Sequence, residues 1–273
     1  MLMTTFLFLM AANATQPGIS SVDDNSAWRE TPFRLEFGGS GSHATNGLGN
    51  WRNAEAQLWI RAHKRFIPVL TFDSQTRPTG SQQNFGVMTI ANWSKNFYTV
   101  QGFSGAPLRT EKRTYFPQQR FDFRAYTKMP WNRNLLFSAG YTRVNYGVPK
   151  ASPAAADMPN AGFLWYKGRF VTEGIAYWVK NQPTGSNAGA GTLSTMYGRE
   201  GKYWVGATVG GGREVYRVLF LNPNELRTGS FSVYAFARKW ITRNTGVVIF
   251  FDFQNRLDLF QRYGAGARFF WEF

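Results

Sequence analysis

The chain has 273 residues, no cysteine and 28 glycines, and aromatic and charged side chains each make up 17% of it. Without cysteine there is no disulfide framework, no thiolate metal site and no cysteine nucleophile. A net charge of +15 would suit a nucleic-acid partner, but the arginines stand singly between aromatics and form neither a basic run nor a basic amphipathic helix. Lipopolysaccharide and acidic phospholipid headgroups are the more natural anionic partners.

The first feature in chain order is the apolar run Thr5-Phe6-Leu7-Phe8-Leu9-Met10-Ala11-Ala12, followed by the small-x-small site Ala12-Asn13-Ala14. This reads as a signal peptide over 1–14, with the mature chain starting near Thr15. Residues 15–30 are polar and aperiodic and read as a periplasmic leader. No stretch approaches the roughly 20 apolar residues that a spanning helix needs, so any membrane crossing falls to strands. The mean hydropathy of -0.34 does not oppose this, because a membrane barrel shows lipid only every second residue.

From residue 31 to the end, short alternating segments recur between Gly, Pro, Asn and Ser. In 54–62, Ala54, Ala56, Leu58 and Ile60 oppose Glu55, Gln57 and Arg61. In 120–126, Phe121 and Phe123 oppose Arg120, Asp122 and Arg124. In 231–238, Phe231, Val233 and Ala235 oppose Ser232, Tyr234 and Arg238. In 247–254, Val247, Ile249, Phe251 and Phe253 oppose Asp252 and Gln254. Such stripes fit a sandwich core or a lipid face equally, so the connections decide.

Strands at 33–38, 52–62, 65–73, 84–93, 96–104, 118–128, 134–145, 159–166, 169–180, 187–198, 202–211, 229–240, 244–254 and 262–273 leave long connections (39–51, 105–117, 146–158, 212–228) alternating with short ones (63–64, 94–95, 167–168, 199–201). Short periplasmic turns opposite longer outer loops define a transmembrane barrel. The expected fold is therefore all-β: a single closed antiparallel transmembrane barrel over 31–273, of about fourteen strands, with twelve as the alternative count. The apolar stretch Val215-Tyr216-Arg217-Val218-Leu219-Phe220 lies in an outer loop that could fold into the mouth.

Aromatics flank the short turns, and Trp93, Trp131, Tyr166, Tyr203 and Trp240 are expected to form a membrane-interface girdle, with Lys and Arg beside them to meet lipid phosphates. The alternation points Glu55, Arg61, Arg120, Asp122, Arg124, Arg238, Asp252 and Arg268 into the lumen, together with Glu272. About fourteen strands leave an aqueous lumen unless it is filled, and an arginine-rich lining would favour anions. Internal ion pairs among the same groups would instead close it.

Catalytic chemistry finds little support. His43, beside Ser40 and Ser42 in an expected outer loop, and His63, in a basic turn on the opposite rim, cannot share a site. No metal-ligand cluster or carboxylate pair can be read, so no cofactor and no metal is expected. A lipid-modifying enzyme using His43 is the least favoured reading.

The last residues end on an aromatic, with aromatics at alternate positions. Gly266, Phe269, Trp271 and Phe273 resemble the terminal signal recognised by the barrel-assembly machinery, with the frame shifted because Arg268 stands where that signal has Gly. Beyond this, Trp51 to Ala62, Arg65 to Asp73, Asn96 to Ser104, Tyr115 to Arg120 and Leu136 to Tyr141 carry a resemblance to the YaiO family of outer-membrane β-barrel proteins. The resemblance implies a Gram-negative outer-membrane location and a barrel, and it supplies no reaction. Some relatives accompany polysaccharide-export machinery. Two functions are therefore carried forward: a non-enzymatic channel with modest anion preference for a small anionic solute, and a closed barrel serving as a surface platform or polysaccharide-related partner.

Overall fold

The computed structural model describes residues 31–78, 80–106, 117–145, 155–182, 185–217, 225–257 and 259–273, with the side chains of 214–228 outside the description. The expected signal peptide and leader lie outside the described residues, as do the side chains of the apolar stretch at 215–220.

Fourteen antiparallel strands close into one barrel in which each strand pairs with its sequence neighbours and β1 pairs with β14. They are β1 (Phe33–Ala44), β2 (Gly49–Ile60), β3 (Phe66–Arg77), β4 (Gly80–Ser94), β5 (Phe97–Gly105), β6 (Gln119–Met129), β7 (Asn132–Asn145), β8 (Ala155–Lys167), β9 (Phe170–Gln182), β10 (Asn187–Arg199), β11 (Tyr203–Arg217), β12 (Glu225–Trp240), β13 (Thr245–Arg256) and β14 (Phe260–Glu272). Closure gives every strand two partners, so no open edge meets lipid, where an unpaired backbone group would cost several kcal/mol.

The strand count matches the sequence, but the strands run further outward than the alternation implies. The region 39–51, expected as a long loop, is mostly strand, and only 45–48 connect β1 to β2. Asn46 and Gly47 turn the chain there with φ of 57° and 75°, the left-handed pair of a tight hairpin. Gly and Ser at 38–42 mimic a loop in composition, yet they pair in register with 264–268 of β14. The outer connections 78–79 and 257–259 are short for the same reason, while 106–118, 146–154 and 218–224 remain the longest.

Side chains alternate around the whole barrel. Phe37, Leu70, Val87, Phe103, Phe121, Phe137, Phe163, Leu193, Val209, Phe231, Ile249 and Phe269 are exposed on the outer face, as lipid requires. The opposite face is buried.

Candidate functional site

The inner face of the periplasmic half carries a continuous cluster of packed apolar side chains. Trp59, Val69, Met88, Ile90, Tyr98, Val100, Tyr126, Leu136, Leu164, Val171, Met196, Trp204, Trp240, Val248 and Phe270 form one buried cluster, to which every strand but β1 contributes. Tyr98 and Tyr126 stack at 4.5 Å within it, and Trp240 meets Phe270 edge to face at 5.0 Å. β1 supplies Arg34 instead, whose guanidinium lies 4.5 Å from the Phe270 ring centroid.

Charged residues are threaded through this packing. Glu36 is 1% exposed and sits 2.8 Å from Arg34 Nη2, 3.0 Å from Arg238 Nη2 and 3.2 Å from Arg268 Nε. Arg268 also approaches Glu55 at 3.7 Å, and Arg61 and Arg34 flank Glu272 at 3.5 and 3.9 Å. Across the barrel Arg124 lies 3.6 Å from Glu173, and Tyr126 donates to the same carboxylate at 2.8 Å. Arg120 grips Asp122 through two bonds of 2.6 and 2.7 Å, and Arg262 holds Asp252 at 2.6 Å. Each residue expected to line the lumen thus sits in an ion pair formed by the wall itself. Arg34 and Glu36 belong to the first of these groups and Glu173 to the one across the barrel, and all three are absent from the expected set. Arg34 and Glu36 alternate with Leu35 and Phe37, a signal present in the sequence; Glu173 lies in β9, where Val171, Ile175 and Val179 face inward and Trp178 outward, so polarity does not alternate.

The expected girdle divides in two. Trp93 and Trp131 are 57% and 77% exposed at the periplasmic rim, and Tyr203 lies on the outer face. Trp240 and Tyr166 do not belong with them. Trp240 is 6% exposed, donates its ring N–H to Glu272 and packs in the inner cluster, and Tyr166 packs against the same cluster. An aromatic beside a turn can face either way, and the register decides: Trp240 is on the face of Arg238 and Tyr234.

Phe269, Trp271 and Phe273 stand on the lipid-facing side of β14, while Gly266 faces inward opposite Ser40. Phe273 and Phe33 stack at 5.6 Å and exchange backbone hydrogen bonds, which closes the seam at its periplasmic end. His43 lies in β1 rather than in a loop and points outward, with Nδ1 2.8 Å from Asn50 Oδ1. His63 accepts from the backbone N–H of Arg65 on the other rim. Among the described residues no group of three or more His, Cys, Asp or Glu could hold a metal.

A closed barrel with an outward apolar band and aromatics at its rim defines a bacterial outer-membrane β-barrel protein. The YaiO membrane beta barrel domain model matches residues 33–217, more than half of the chain. The chain belongs to that family. No curated protein matches it. Among solved structures, a bacterial polysaccharide outer membrane secretin aligns with TM-score 0.58 at 9% identity, over 89% of this chain and 99% of its own. The CymD monoaromatic hydrocarbon channel aligns with TM-score 0.55 at 9% identity, over 89% and 88%. Omp33 of Acinetobacter baumannii aligns with TM-score 0.50 at 13% identity, over 89% and 99%. At these identities the likeness is one of fold.

Proposed function

We propose that the protein is a non-enzymatic outer-membrane barrel whose lumen is closed by its own side chains, and that it works as a surface platform or polysaccharide-related partner through its outer end. The supporting observation is the buried cluster that draws on thirteen of the fourteen strands at one level of the barrel. Fourteen strands would otherwise leave room for water. The anion-preferring channel draws on inward arginines, but Arg120, Arg124, Arg238 and Arg268 each lie within 3.6 Å of a carboxylate. Each is already paired with an acid of the wall, so a permeating anion gains less from it than from an unpaired guanidinium. Lipid modification by His43 lacks an activated partner, since the side chain it bonds, Asn50, is neither acid nor base.

The outward aromatics at both ends of the wall suit outer-membrane lipids, including lipopolysaccharide, and the Gly266, Phe269, Trp271 and Phe273 frame suits the barrel-assembly machinery. Solute flux across proteoliposomes tests the reading. Vesicles carrying the folded chain should hold chloride and small sugars as well as empty vesicles do; rapid release of chloride would contradict closure and favour the anion channel.

A further inference from the structure

Above the filled level, the lumen contains a cavity of about 70 Å³ that runs from Glu55 and Tyr234 to Arg77, the outermost residue of β3. Its space has a cause in sequence. Ser40 and Ser42 of β1 face Gly266 and Gly264 of β14, so the seam carries no side chain long enough to fill the lumen at that height.

The lining offers acceptors and donors together, and both are held in place. Asp73 accepts from Gln75 Nε2 at 3.0 Å and from Asn84 Nδ2 at 3.2 Å. Asp252 is gripped by Arg262, and the Arg77 guanidinium rests 3.9 Å from the Trp51 ring centroid. Fixed polar groups of both kinds favour a guest that can donate and accept at several points. A small oxyanion would be attracted by the arginines and repelled by Asp73, Asp252 and Glu55. An apolar guest would strip all of these of water. A hydroxyl donates to a carboxylate and accepts from a guanidinium or amide with the same oxygen. At roughly 10–15 Å³ for each water, the cavity takes about five to seven, and the hydroxyls and ring oxygen of one sugar unit number about as many.

We propose that this cup binds one ring of a neutral, polyhydroxylated sugar presented from the outer side. The proposal takes the lumen as closed beneath the cup, and the two readings fail separately: solute flux tests closure, and sugar binding tests the cup.

The test is ligand-observed NMR on the purified chain, folded in a detergent without a sugar headgroup, with glucose, N-acetylglucosamine and inorganic phosphate as probes. Saturation transfer to at least one sugar in the millimolar range is expected. Asp73→Ala, which removes an acceptor, and Ser42→Leu, which fills the space without removing a charge, should each weaken it at least tenfold. Both variants are first checked for heat-modifiable gel mobility, so that either one suffices if the other fails to fold. Saturation transfer to neither sugar, broadening of the phosphate phosphorus resonance with no response from a sugar, or sugar binding unchanged in a folded variant would overturn the proposal.

Discussion

Arg238 Nη2 lies 3.0 Å from Glu36 Oε2, although β12 and β1 are separated in the barrel by β13 and β14. Side chains of non-adjacent strands meet there across the lumen. The same carboxylate faces Arg34 and Arg268, so one buried acid serves three guanidinium groups.

Removing that acid leaves three buried cations close together. Breaking a buried pair from one side costs about 3–5 kcal/mol, because the remaining charge keeps its desolvation penalty. Glu36→Gln should lower folding stability by about that amount in urea unfolding from lipid vesicles. A change within experimental scatter would mean that water reaches the cluster.

Trp240 and Trp131 both neighbour periplasmic turns but occupy opposite environments. Truncating a packed Trp costs about 3–5 kcal/mol. Trp240→Ala should show a loss of that order in the same unfolding measurement, and Trp131→Ala a far smaller one. Equal losses would place Trp240 at the lipid interface after all.

Gly246, opposite Trp240, is a position where even a methyl group has no room. A Cβ there would collide with the backbone oxygen of Lys239 and the Phe270 ring. Overpacking of this kind costs about 1–3 kcal/mol, so Gly246→Ala should lower the unfolding midpoint while leaving the chain able to fold, and Gly246→Val should give less heat-modifiable barrel. Full yield from the Val variant would contradict the packing at this level.

The C-terminal aromatics make a separable prediction. Phe273→Ala removes one exposed ring and its stack on Phe33, a modest loss once the barrel is formed. If the terminal frame is read by the assembly machinery, the variant should accumulate poorly in the outer membrane of cells yet fold in vitro with little change in its unfolding midpoint. Normal accumulation in cells would remove that role.

Much of this is legible in the residues, and the failures have a common cause. Strand number and the inward set from Glu55 to Arg268 follow from period-two alternation, which the pleat enforces wherever the faces differ in polarity. The inner apolar cluster is not legible, because inward Val171, Leu136 and Met196 look like outward ones when both faces are apolar. Trp240 and Tyr166 read as girdle residues for the same reason. His43 reads as a loop residue because Gly and Ser at 38–42 look like turn residues, whereas here they are the small side chains of the seam that leave the cup open.

The most direct test of the closed lumen is single-channel recording in planar bilayers, comparing the folded chain with a variant in which Trp59, Tyr126 and Trp204 are all replaced by Ala. Silence from the unaltered barrel and discrete current steps from the variant are the expected result. Stable steps from the unaltered barrel, with reversal potentials in a salt gradient that show anion selectivity, would contradict it.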